Sequence, residues 1–202
     1  VAIQKDIRIG IEIKGIGAGI MFDRYAGDNK TALPVEDKFN FVPGTKRVCV
    51  PATAIMSFLS AQNTDSATKR VIGGRGYKEI AYALSSYSVV EEDYVELTRG
   101  GKPVVFGSFD ADGFDESSGA RIHYATARVK GGIPNPKVRP FIPNGDDPWE
   151  ARFHMQVIRN ETLSVDIIKR IFVTGGICTG FGTYRPLFGK FSVVKFDVAE
   201  LE

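Results

Sequence analysis

The segment Glu150-Ala151-Arg152-Phe153-His154-Met155-Gln156-Val157-Ile158 alternates, with Ala151, Phe153, Met155 and Val157 on one side and Arg152, His154, Gln156 and Ile158 on the other. A period of two marks a half-buried strand. Arg159-Asn160-Glu161-Thr162 follows as a turn. From Leu163 to Thr174 the period changes. Leu163, Ile167, Ile168, Ile171 and Phe172 make the apolar stripe of an amphipathic helix. The glycine-rich run Thr174-Gly175-Gly176-Ile177-Cys178-Thr179-Gly180-Phe181-Gly182-Thr183-Tyr184-Arg185-Pro186-Leu187-Phe188-Gly189-Lys190-Phe191 comes next, and Lys190 to Val198 reads as a closing strand. This end of the chain is strand, helix, glycine-rich connection, strand.

The front end has a related order. Ile7-Arg8-Ile9-Gly10-Ile11-Glu12-Ile13-Lys14 alternates as a strand, and Gly15, Gly17 and Gly19 predict a bulge or bend after it. Asp23 to Phe41 is polar and reads as a loop. Pro51 to Gln62 reads as a helix, with Pro51 at its first position and Ile55, Phe58 and Leu59 on one face. Thr68 to Lys78 reads as a basic, glycine-rich loop, and Lys78 to Ser86 as a short helix. Two strand–helix–strand units sharing one antiparallel sheet give an α+β, ferredoxin-like (RRM-like) fold with both helices on one face. The other face is left free, as in RNA-recognition domains of this topology. Residues 1–202 then form a single domain with an inserted middle at about 94–148. That middle holds a hairpin around Arg99-Gly100-Gly101-Lys102, an alternating run from Arg121 to Val129, and a Pro/Gly-rich loop from Gly131 to Pro148.

The net charge of +2 is too small to argue for nucleic acid by itself, but its distribution is uneven. Glu91 to Glu116 is acidic. Arg121 to Arg139 carries Arg121, Arg128, Lys130, Lys137 and Arg139 and no carboxylate. Such asymmetry predicts one face for a polyanion and another for water or a neighbouring subunit. Cys49 and Cys178 are too few for a structural zinc site and fit a reducing compartment. Val1 to Asp6 lacks a signal-peptide pattern, and no apolar run is long enough to span a membrane. A cytoplasmic protein is expected, with Val1 not its native start.

The chemistry points to binding. Glycines allow a close approach of backbone to a phosphate. Lys14, Lys69, Arg70, Arg75, Lys137, Arg139, Arg185 and Lys190 are placed on loops or strand ends as phosphate contacts. Tyr77, Tyr124, Phe181 and Tyr184 are candidates for stacking on bases, and Gly180 and Gly182 for main-chain contact. The structural alternative is that the aromatics are core and the cations a solvated surface.

Two places resemble the repeat-associated mysterious protein superfamily, the RNA-binding proteins of CRISPR effector complexes, and their backbone subunits above all. Phe41-Val42-Pro43-Gly44-Thr45, with Val50-Pro51-Ala52-Thr53-Ala54 opening the helix, is similar to the family's turn into its first helix. Gly175-Gly176 through Gly180-Phe181-Gly182 to Phe188-Gly189 is similar to its terminal glycine-rich loop. This chain differs in inserting Lys46 to Val50 and in lacking lysine or arginine from Pro51 to Gln62. The resemblance implies a ferredoxin-like palm with a thumb-like protrusion, for which Gly131 to Pro148 is favoured over the Arg99–Lys102 hairpin. It also implies a single-stranded guide RNA as partner, with copies of the chain and other effector-complex subunits stacked along it.

His123 and His154 are the only histidines. His123, beside Tyr124, is the one weak candidate for a general acid–base, so a RAMP-type endoribonuclease that processes CRISPR RNA is an alternative. A structural or assembly protein, such as a viral one, is another. Asp110, Asp112 and Asp115 begin like a calcium loop but lack its sixth-place glycine and closing glutamate. No phosphate-loop motif closes Gly73-Gly74-Arg75-Gly76. No metal or cofactor is expected.

Overall fold

The computed structural model describes residues 6–25, 33–60, 66–128, 134–158 and 160–201. In chain order the elements are β1 (Ile7–Gly15), β2 (Ile20–Met21), a 3-10 turn (Val35–Lys38), β3 (Cys49–Pro51), α1 (Ala52–Ser60), α2 (Ala67–Ile72), α3 (Tyr77–Tyr87), β4 (Ser88–Val90), β5 (Tyr94–Arg99), β6 (Lys102–Pro103), β7 (Arg121–Arg128), β8 (Pro134–Ile142), β9 (Glu150–Val157), α4 (Val165–Cys178) and β10 (Phe191–Glu200). The chain is mixed α+β with antiparallel sheets. The main sheet runs β10-β1-β9-β5-β3, with β4 also on β9 and β6 on β5; a smaller sheet runs β2-β8-β7.

The alternation read from β1 and β9 is the alternation found. Ile7, Ile9, Ile11 and Ile13 are buried opposite Val157, Met155, Phe153 and Ala151. Burying each isoleucine is worth about 1.5–3 kcal/mol. The helices close this face. Phe58 of α1 meets Phe172 of α4 at 5.7 Å and Phe191 of β10 at 5.6 Å between ring centroids, and Phe153 meets Phe172 at 5.9 Å.

Three segments differ from expectation. The stretch read as a loop from Thr68 contains α2, whose N-cap Ser66 accepts from the Lys69 amide, so Lys69 and Arg70 sit on a helix. The segment Gly131 to Pro148 is not one long loop, because β8 occupies Pro134–Ile142 and pairs along its length with β7. Proline usually forbids an inner strand. Here Pro134, Pro136 and Pro140 share one parity. The Pro140 carbonyl accepts from the Phe22 amide at 3.0 Å, so this parity faces the β2 edge and the β7 ladder keeps its donors. Finally, α4 continues past Thr174 to Cys178, so Gly175 and Gly176 are helical. Both are buried against neighbours. A Cβ on Gly176 would stand 2.6 Å from Phe191 Cε2.

Gly176 therefore sets how closely α4 lies on β10. Gly176→Ala is expected to lower unfolding free energy by about 1–3 kcal/mol through overpacking, outweighing the gain in helix propensity of about 1 kcal/mol. Urea denaturation measures this, and equal or greater stability would contradict the packing.

Candidate nucleic-acid interface

The glycine-rich bend after α4 folds back on the chain itself. The Phe181 amide donates to Gly189 O at 2.8 Å, the Gly189 amide to Gly19 O at 2.7 Å, and the Thr183 amide to Met21 O at 3.0 Å. Gly180, Gly182 and Gly189 have φ of 75, 76 and 82°. A side chain on Gly180 would strike Gly189, and one on Gly189 would strike Phe181. The close approach that these glycines permit is thus filled by the protein's own backbone. Phe181, expected to stack on a base, is buried against Phe58 and Phe191 at 4.9 and 4.6 Å. What the bend presents outward is its tip: Gly182, Tyr184, Pro186 and Leu187 are exposed and Arg185 is half-buried.

The tip lies against one face of the small sheet. On β7 and β8, His123 is opposite Arg139, Ala125 opposite Lys137 and Arg121 opposite Phe141. Cross-strand partners share a face, so Arg121, His123, Lys137 and Arg139 stand together. The His123 ring lies 6.0 Å from Tyr184, 5.5 Å from Phe188 and 6.1 Å from Phe141. Arg139 is on a strand, not a loop. It is buried, with its guanidinium 5.9 Å from the Tyr184 ring centroid, and its Nε donates to Asp23 Oδ2 at 2.6 Å. Lys38 Nζ, 3.8 Å from Asp23 Oδ1, donates to Val138 O at 2.6 Å. A cleft of about 290 Å³ is lined by Gly182 and Thr183 of the bend, by β2 with Asp23 and Tyr25, and by the start of α1 at Ala54.

The remaining sequence candidates lie elsewhere. Lys69 Nζ lies 5.4 Å from the Tyr77 ring, and Tyr77, at the start of α3, is buried and so offers no free face for stacking. Arg75 is exposed in the turn between α2 and α3. Arg70 is on α2. Lys190 is half-buried just before β10, and its carbonyl accepts from the Ile16 amide at 2.9 Å. Tyr124 is 72% exposed, but its parity puts it on the face of β7 away from His123.

The free face of the main sheet does not have the character that the sequence suggested. Lys14 pairs with Glu150 at 3.0 Å, Arg8 with Glu91 at 2.6 Å, Arg152 with Glu12 at 3.5 Å, His154 with Glu92 at 2.6 Å, and Arg47 with Glu96. The groove across it, about 510 Å³, is lined by Glu12, Glu92, Glu96 and Glu150 against the single cation Arg152. With its cations paired to glutamates, such a face offers phosphate little net attraction. The acidic turn uses its carboxylates internally: Asp110 Oδ1 accepts from the amides of Asp112 and Phe114, each at 2.9 Å, and Asp115 from Gly107, Ser108 and Ser118.

Sequence reasoning missed Asp23 and Phe141. Asp23 had no local signal, since its partner is 116 residues away. Phe141 fell inside the segment read as a loop.

No family model matches the chain, and no curated protein does. Among solved structures the chain is similar to a chain in the cryo-EM structure of the Type III-B Cmr-beta bound to cognate target RNA, with a TM-score of 0.58 and 14% identity. The match covers 97% of this chain and 61% of that one. At this identity the likeness is one of fold. No helix among the described residues is long and apolar enough to cross a membrane.

Charge on the free sheet face has a measurable consequence. The Arg8 guanidinium, bonded to both Glu91 oxygens, holds that carboxyl down to about 2, against about 4.3 unperturbed. Because the folded value is the lower one, the stabilisation is complete above about pH 4.3 and fades as pH falls towards 2. Urea midpoints followed across this window should fall less steeply in Glu91→Gln than in the parent chain. Parallel slopes would contradict the pairing.

Proposed function

We propose that this chain is a non-catalytic, RNA-binding backbone subunit of a CRISPR effector complex, of the repeat-associated mysterious protein type. In this reading it lies in the cytoplasm along a single-stranded guide RNA, with copies of itself and other effector subunits beside it. The observation that carries the reading is the placement of Arg121 and Lys137 on one face of the small sheet, the face on which the buried Arg139 lies against Tyr184 at the outward tip of the glycine-rich bend. A cationic strand face next to an exposed ring is what a single strand needs: charge for its backbone and a surface for a base. Fold likeness over 97% of the chain to a protein in an RNA-bound assembly supports it.

The sheet order β10-β1-β9 with β4 on β9, and helices between β1 and β4 and between β9 and β10, supports the ferredoxin-like assignment. Residues 94–148 are then the insertion, and the β7–β8 hairpin replaces the expected loop as the thumb-like protrusion. The non-catalytic reading draws on the setting of His123, whose ring is packed among Phe141, Phe188 and Tyr184, an environment for packing more than for proton transfer.

Filter binding of an unstructured RNA across a salt series tests this. Lys137→Glu together with Arg185→Glu is expected to weaken binding at least about tenfold and to flatten the log–log salt slope by roughly 0.7 for each phosphate no longer neutralised. Unchanged affinity and slope would reject the site.

A further inference from the structure

We propose that Tyr184 is a stacking platform for one unpaired nucleobase, and that Asp23 positions it by holding Arg139 beneath the ring. This rests on the RNA-binding reading and adds the group recognised.

Tyr184, with φ of 57°, is the one non-glycine residue at positive φ among those described. Large side chains avoid that region unless their surroundings fix it. The surroundings do fix it. Arg139 lies 5.9 Å from the ring centroid, and His123 and Phe188 each stand 6.0 Å away, tilted by 45 and 44°. Yet Tyr184 remains 45% exposed. The ring is therefore held on one side and at its edges, and open on the other.

The support is an ion pair withdrawn from water: the Arg139 and Asp23 side chains are 11% and 6% exposed. A buried pair of this kind is commonly matched in stability by apolar residues of similar volume, so stability alone does not call for it. What an apolar residue does not supply is a flat cation under an aromatic ring, locked in orientation by a carboxylate. Asp23, Arg139 and Tyr184 make three layers, and the outermost offers a bare π-face. Lys137, two residues along the same face of β8, supplies charge for an adjoining phosphate. A flat π-system next to a phosphate describes a nucleotide. A base inside a duplex has both faces covered, so the platform takes an unpaired one.

The experiment uses unstructured RNAs of about a dozen nucleotides, each with 2-aminopurine at one position. They are titrated with the parent chain, Y184F, Y184A, R139K, D23N and D23E. Fluorescence at one or more positions is expected to be quenched by the parent chain and by Y184F. Y184A should abolish that quench and weaken binding roughly ten- to a hundredfold. R139K and D23N should reduce the quench while leaving the salt slope of binding unchanged, and D23E should restore it. If D23N fails to fold by thermal melting, R139K, which keeps a cation beside Asp23, carries the positioning test. A duplex of the same sequence should give no quench. The free 5′-monophosphate of 2-aminopurine riboside, quenched by the parent chain at the same protein concentrations as the strand and not by Y184A, would make the site one for a free nucleotide and overturn the proposal. RNA bound with parent-like affinity by Y184A, unquenched at every position, would overturn the platform and leave the RNA-binding reading standing. No RNA bound even at low salt would remove both.

Discussion

The arrangement depends on the stitching of the glycine-rich bend to the turn between β1 and β2. Three main-chain bonds, Phe181 to Gly189, Gly189 to Gly19 and Thr183 to Met21, tie the end of α4, the start of β10 and the first strand of the small sheet into one joint. Left-handed glycines are required because each would otherwise drive a Cβ into a carbonyl. Phe181 and Phe188 then point inward as buttons on either side of the joint, and only the Tyr184 tip is left to face outward. The joint sets Tyr184 against β7 and β8. Arg99 of β5, which donates to the Pro143 carbonyl, and a shared core of Ile20, Phe22 and Ile142 with the β1 isoleucines hold the two sheets together beside it.

Charge is sorted between the two sheets. The main sheet's free face neutralises its own cations with glutamates, and Glu91, held ionised by Arg8, is the clearest case. The stretch from Arg121 to Arg139 has cations and no carboxylate in its sequence, and the acidic partner of Arg139, Asp23, is buried with it. A polyanion approaching the molecule finds the charges of one surface paired off and, among the described residues, unpaired lysine and arginine on the other. This is the reverse of the expectation that the bare main sheet is the platform, and it moves the candidate interface to the small sheet and the bend.

Much of the fold was legible because its signals are local. The isoleucine alternation of β1, the mixed face of β9 and the stripe of α4 each lie within about ten residues and state their own period. The legible part of the site was its composition: Tyr184, Arg139 and Lys137 were singled out from sequence, and the structure brings them to one place. What stayed hidden was long-range. The three prolines of β8 read as a loop because their harmlessness depends on which edge they face. Gly175 and Gly176 read as a connection because the reason for them, Ala67 and Phe191, lies on other elements. Tyr77 and Phe181 looked like free aromatics because burial is not written in a single residue's neighbours.

On the proposed function, RNA runs over the small sheet and the tip of the bend and avoids the free face of the main sheet. Ultraviolet cross-linking of the RNA-bound protein followed by peptide mass spectrometry tests it directly. Cross-links are expected on peptides holding Tyr184 and the β7–β8 strands around His123 and Lys137. Cross-links concentrated on Tyr94, His154 and the other residues of the acidic sheet face would contradict it.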